Sequence, residues 1–126
     1  MFSKLIANTV YVKVYKNRFD LHHVESGNST SVISPNAFTT TRLLVGQFSE
    51  ADETLRKGMK ELYKNQLFAP SPVVVIQPME KTENGLSQVE ERTLQELAAG
   101  AGARKSIVWV GHELSDQEAL SKANDV

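Results

Sequence analysis

Cysteine is absent from this 126-residue sequence. Disulfides, thiolate metal sites and cysteine nucleophiles are thereby excluded, and the absence fits a cytoplasmic protein. No stretch approaches the roughly 20 apolar residues that cross a bilayer as a helix. Met1–Asn8 has no apolar run of signal-peptide length. Charge of one sign is lacking too. Fourteen basic and 15 acidic residues leave a formal net charge of −1, which gives no electrostatic case for nucleic acid or an anionic membrane. The phosphate-loop patterns G-x-x-x-x-G-K-[ST] and G-x-G-x-x-G do not occur. Neither do the nucleophile patterns G-x-S-x-G and S-x-x-K. The sequence therefore lacks the apparatus of a self-sufficient enzyme, and no catalytic, cofactor or metal residue is assigned from it.

What is present suits a single core. A chain of this length supports one hydrophobic core and not two. Hydrophobic residues make up 40% and charged residues 23%, ordinary values for a globular domain. Val10, Val12 and Val14 alternate with Tyr11, Lys13 and Tyr15, which predicts a strand over Thr9 to Tyr15. Lys16–Asn17 reads as a tight turn, and Arg18 to Val24 as a second strand. Glu25–Ser26–Gly27–Asn28 is a turn, because Gly and Asn tolerate positive φ. Thr30 to Ile33 is a short third strand, giving an antiparallel meander. Phe38 to Phe48 reads either as a short strand over Arg42 to Val45 or as an irregular crossing.

Helical periodicity begins after that. Ser49 is expected to cap a helix with Asp52 at N3, and Ala51, Leu55, Met59 and Leu62 form its apolar stripe. Glu53, Arg56, Lys57 and Lys60 fall on the opposite face. Val73–Val74–Val75–Ile76 predicts a strand buried on both faces, as in parallel sheets. Ser87 and Glu90 make a capping box for a second helix, whose stripe is Val89, Thr93, Leu94, Leu97, Ala98 and Ala101. Gly100 and Gly102 end it. Ile107 to Val110 is the last strand. Ser115 to Val126 reads as a frayed tail or a short helix. The expected fold is an α/β, single mixed-sheet domain of order β-β-β-α-β-α-β, with residues 1–114 as the domain and 115–126 as tail or short helix.

Few residues suggest chemistry. His22 and His23 are strand neighbours and point to opposite faces, so without a bulge they cannot serve one metal. His112, Glu113, Asp116 and Glu118 follow the last strand, where α/β sheets place ligands. Thr9 to Tyr15 supplies no acid to meet them, and a solvated loop is the simpler reading. The aromatics Tyr11, Tyr15, Phe19, Phe38, Phe48, Tyr63, Phe68 and Trp109 are expected mainly in the core. Where a sheet face or edge stays uncovered, some would instead lie in a homo-oligomer interface.

Several collinear segments resemble the bacterial actin-like, rod shape-determining (MreB-like) family. Pro72–Val73–Val74–Val75 resembles its "VxVP" strand. Ser87–Gln88–Val89–Glu90–Glu91–Arg92 resembles "T-x-V-E-R-R-A", and Gly100–Ala101–Gly102–Ala103–Arg104 resembles "A-x-x-A-G-A-R". Ala7 to Lys13 is similar to "ANTLIYVK", and Arg42 to Leu62 to the connection before the "VxVP" strand. The resemblance implies one trimmed, ribonuclease H-like subdomain from the first half of an actin-like fold. It also implies that the outer face of the second helix, with Glu91, Arg92, Gln95 and Glu96, is a candidate protein contact.

The departures from that family concern its chemistry. Ser3–Lys4–Leu5–Ile6 stands where the family has the phosphate-binding "D-L-G-T". Val110–Gly111–His112–Glu113–Leu114 stands where it has "E-E-P-M-A-A-A", with a glutamate that activates water. The resemblance thus implies a non-catalytic, cytoplasmic module of the cell-shape or cytoskeletal machinery. Such a module acts through a protein partner or through self-association, and no cofactor or nucleotide is expected. The alternative is an ATP-binding half of an actin-like ATPase, completed by another chain.

Overall fold

A computed structural model describes residues 8–66 and 69–125. Within them a five-stranded sheet runs in the order β3-β2-β1-β4-β5. The strands are β1 (Thr9–Tyr15), β2 (Arg18–His23), β3 (Ser29–Ile33), β4 (Val73–Pro78) and β5 (Lys105–Val108). Strands β1, β2 and β3 form an antiparallel meander, while β1, β4 and β5 are parallel. The helices are α1 (Phe48–Leu62), α2 (Gln88–Gly100) and α3 (Asp116–Asn124). The element order agrees with the sequence expectation, with the terminal helix realised.

Strand alternation divides the core between the two faces of the sheet. On one face Val10, Val12, Val14, Phe19, Leu21, Val74 and Ile76 pack under α1 and α2. On the other, Tyr11, Val24, Val73 and Val75 pack under Ala119 and Ala123 of α3 and under Leu114. Strand β4, interior between β1 and β5, is buried along its whole length, as the run of β-branched residues predicts. Phe19 and Phe38 stack at 5.0 Å. Phe68 lies outside the described residues.

Three local expectations are corrected. Ser49 does not cap α1; the N-cap is Gln47, which makes no side-chain cap bond. The Phe38 carbonyl accepts from both Gly46 N and Gln47 N at 2.8 and 2.9 Å. Those bonds steer the chain into the helix two residues earlier than the side-chain signal suggests. Residues 36–47 form an irregular crossing without a strand.

Strand β5 starts and ends two residues earlier than expected. The side chain of Gln77 donates to the carbonyls of Gly111 and His112 at 2.8 and 3.2 Å. It thereby draws the chain away from the ladder after Trp109 N has bonded Ile76 O at 3.0 Å.

Val89 is not part of the buried stripe of α2. It is 73% exposed, and Leu94 is the first fully buried residue of that helix.

Of the two readings of the terminal segment, the short helix is the one realised. Ser115 and Glu118 form a complete capping box, and Ala119 and Ala123 are buried against the sheet. Two small residues four apart let the helix lie close to β1 and β4.

Candidate protein-contact surface

Helix α2 begins at a full capping box, with Glu90 N donating to Ser87 Oγ at 3.1 Å and Ser87 N to Glu90 Oε1 at 3.0 Å. The box fixes the rotation of the helix. Leu94, Leu97 and Ala98 face the sheet, and Glu91, Arg92, Gln95 and Glu96 all face outward and are exposed. Arg92 Nε contacts Glu96 Oε1 at 3.2 Å across one turn. Such an exposed pair contributes little stability, about 0.3–0.5 kcal/mol.

The structure divides the four expected contact residues. Arg92 and Glu96 wall an open groove of about 550 Å³ together with Phe48, Gln88, Val89 and Thr93. Glu91 and Gln95 are exposed but do not line it. Phe48 is 42% exposed, and Phe48 and Val89 are among the few large apolar side chains left at the surface. Sequence reasoning missed both. Phe48 stood outside a helix expected to be capped by Ser49, and Val89 fell in phase with the apolar stripe. The groove exists because both helices start at the same end of the sheet, so their first turns adjoin.

The histidines and acids expected near the sheet are dispersed. His22 Nε2 lies 3.0 Å from Asp116 Oδ1 and His22 Nδ1 lies 2.6 Å from Ser29 Oγ, on the α3 side of the sheet. His112 Nε2 contacts Glu118 Oε2 at 2.8 Å, and Lys13 Nζ contacts Glu113 Oε2 at 3.0 Å. Each acid is thus turned to a different base. Among the described residues no set of three or more His, Asp or Glu converges. The Glu118 carboxyl is held down at about 2, first by the Ser115 backbone N–H and then by the His112 side chain.

His23 points to the opposite face and is buried. Asn8 Nδ2 donates to the Pro70 carbonyl, which leaves Asn8 Oδ1 to accept from His23 Nε2 at 2.6 Å and from Tyr63 OH at 2.7 Å. His23 Nδ1 then accepts from Ser26 Oγ at 2.6 Å and from Ser26 N at 3.2 Å. Burial lowers the His23 pKa against the opposing pull of Glu25. Burial likewise pushes the Tyr63 hydroxyl up to about 12. This network ties the start of β1 to the β2–β3 turn and to the end of α1.

A second buried network sits under α3. Tyr11 OH donates to Gln77 Oε1 and accepts from Leu114 N at 3.0 Å. With the two bonds from Gln77 Nε2 it fixes the path from β5 to α3.

No helix among the described residues is long and apolar enough to cross a membrane. No family model matches the chain. Over 103 residues it is 32% identical to the uncharacterized protein YjaA of Escherichia coli (strain K12), an alignment covering 78% of this chain and 80% of that protein. With identity of that level across most of both sequences, the chain belongs to the YjaA family.

Proposed function

We propose that the chain is a non-catalytic, cytoplasmic, actin-like (rod shape-determining protein-like) module of cell shape or the cytoskeleton, and that it acts by protein contact through the outer face of α1 and α2. The observation that carries this reading is the pair Phe48 and Val89, exposed side by side in one groove with Arg92 and Glu96. Isolated surface hydrophobics are ordinary. Two in one groove, rimmed by charge, have the anatomy of an interface core with a polar rim. Burying such side chains fully stabilises by about 1.5–3 kcal/mol each, in proportion to the surface covered.

The ribonuclease H-like part of the reading is supported by the β-β-β-α-β-α-β order, with three antiparallel strands followed by parallel crossovers. The non-catalytic part is supported by the residues that replace the family's phosphate and water-activating motifs, Ser3 to Ile6 and Val110 to Leu114.

Two experiments test the reading. A photo-crosslinking amino acid at Gln95 in living cells should give a discrete adduct, identified by mass spectrometry, that disappears when Phe48 and Val89 are both replaced by serine. No adduct, or the same adducts from a probe at Ser29 on the β3 edge, would overturn the contact. Amide-resolved titration with magnesium ATP should leave the spectrum unchanged relative to magnesium alone. Saturable shifts clustered in one cleft would overturn the nucleotide-independent part.

A further inference from the structure

The face built by α1 and α2 is complementary to itself. Acidic Glu50, Asp52 and Glu53 occupy the start of α1, and basic Arg56, Lys57, Lys60 and Lys64 follow. Asp52 and Arg56 pair at 3.0 Å, and Glu61 and Lys64 at 2.8 Å. Glu53, Lys57 and Lys60 are exposed, and none has an ion-pair partner among the described residues. Glu53 and Lys60 are seven residues apart. They share one stripe of the helix, two turns and about 10 Å from each other along the axis.

Shape follows the same division. At the acidic end, Phe48 and Val89 stand exposed along the walls of their groove. At the basic end lies a second open groove, of about 510 Å³, walled by Arg56, Lys60, Tyr63, Pro70 and Ala101. It exists because α2 stops early. Gly100, its last residue, abuts the side chains of Asp52 and Arg56, whereas α1 continues to Leu62. Among the described residues, no helix lies beside the second half of α1 on this side.

We propose that this face pairs with a second copy of the chain, the helices of the two copies running antiparallel about a two-fold axis that crosses α1 near Arg56 and Lys57. The operation sets Glu53 of each copy against Lys60 of the other. It lowers the first turn of α2, with Val89 and the neighbouring Phe48, into the vacant groove of the second copy. Every contact is made twice, as an isologous interface requires. The opposed helix dipoles add a favourable term. The match of acid to base and the match of exposed apolar side chains to the second groove each come from one end of the face meeting the other, and a single operation satisfies both.

This inference rests on the reading of that face as a protein contact, and it names the partner. Sedimentation equilibrium of the purified full chain should show a reversible dimer. Glu53→Lys and Lys60→Glu, both at exposed positions, should each raise the dimer Kd about tenfold or more, because each opposes like charges at both contacts. A one-to-one mixture of the two variants should recover the parental Kd, since opposite charges then meet at both contacts. Val89→Ser should weaken the dimer with an unchanged circular dichroism spectrum.

A chain that stays monomeric up to about 1 mM overturns the proposal. So does a dimer indifferent to both charge reversals, or a mixture no tighter than its components. A monomeric chain that still crosslinks from Gln95 to a different protein removes the second copy and leaves the contact reading standing. A monomeric chain with no crosslink removes both.

Discussion

His23 Nε2 donates to Asn8 Oδ1 at 2.6 Å, at the point where β1, β2 and the end of α1 meet. Asn8 can only accept there, because its amide nitrogen is committed to Pro70. The histidine is therefore held neutral, with its proton on Nε2 and Nδ1 accepting from Ser26. Protonating Nδ1 would reverse one of those bonds and abolish the other.

Stability should consequently fall in mild acid. The folded-state pKa of His23 is lowered, by burial first, so between that value and about 6.5 the unfolded chain binds the proton and the folded chain does not. The contribution of His23 is fully present above about pH 6.5 and is lost as pH falls through its folded pKa. Urea unfolding from pH 8 to pH 5 should show this decline, and His23→Gln should flatten it. An equal slope in the variant would refute the assignment.

At alkaline pH the sign reverses for Tyr63. Its hydroxyl is pushed up to about 12 by burial, above the ordinary value near 10. Its contribution is present below about pH 10 and is lost as pH rises towards 12, because the unfolded chain ionises first. Tyr63→Phe should remove that part of the alkaline loss and cost about 0.5–1.5 kcal/mol at neutral pH. Unfolding at pH 7 and at pH 11 compares the two effects directly.

Tyr11 should be the costlier tyrosine to truncate. Tyr11→Phe leaves Leu114 N and Gln77 Oε1 without their buried partner. An unsatisfied buried group costs about 1–3 kcal/mol. The loss should concentrate in the segment from Gly111 to Asn124, because Gln77 and Tyr11 together hold its start. Amide hydrogen exchange should show faster exchange in α3 than in α1.

Two helical glycines should answer differently to alanine. At Gly58 a Cβ would lie 2.9 Å from Val32 Cγ2 and 3.1 Å from Leu21 Cδ1, both packed side chains. Overpacking there costs about 1–3 kcal/mol, against about 1 kcal/mol gained in helix propensity. Gly58→Ala should be destabilising by about 1 kcal/mol. At Gly100 the Cβ would meet the ends of Asp52 and Arg56 at 2.7 and 3.0 Å. Those are flexible side chains whose surface ion pair is worth about 0–1 kcal/mol, so Gly100→Ala should be close to neutral. Paired thermal melts decide the order.

The cap of α3 makes a further test. Ser115→Ala removes the oxygen that accepts from Glu118 N at 3.1 Å and should cost about 0.5–2 kcal/mol. The Glu118 carboxylate should remain ionised in the folded protein well below pH 4.5, and its contribution, fully present above about pH 4.5, should be lost as pH falls from there through about 2. Following its carboxyl carbon by NMR across that range checks the order of events.

Local chemistry was legible in the sequence wherever one segment determines it. The alternation of Val10, Val12 and Val14 fixed β1 to the residue. The unbroken run Val73 to Ile76 marked a fully buried interior strand, and Ser87 with Glu90 marked the start of α2. In each case periodicity or a cap acts within a few residues.

Tertiary structure decided whatever depends on a distant partner. The end of β5 is set by Gln77, more than 30 residues away in the chain. The start of α1 is set by the carbonyl of Phe38 and not by the hydroxyl of Ser49. A segment rich in small and charged residues becomes a docked helix because the second face of the sheet needs a cover. The exposure of Phe48 and Val89 is of the same kind. A sequence states that a residue is apolar, but only the meeting of two helix ends decides whether anything is there to bury it.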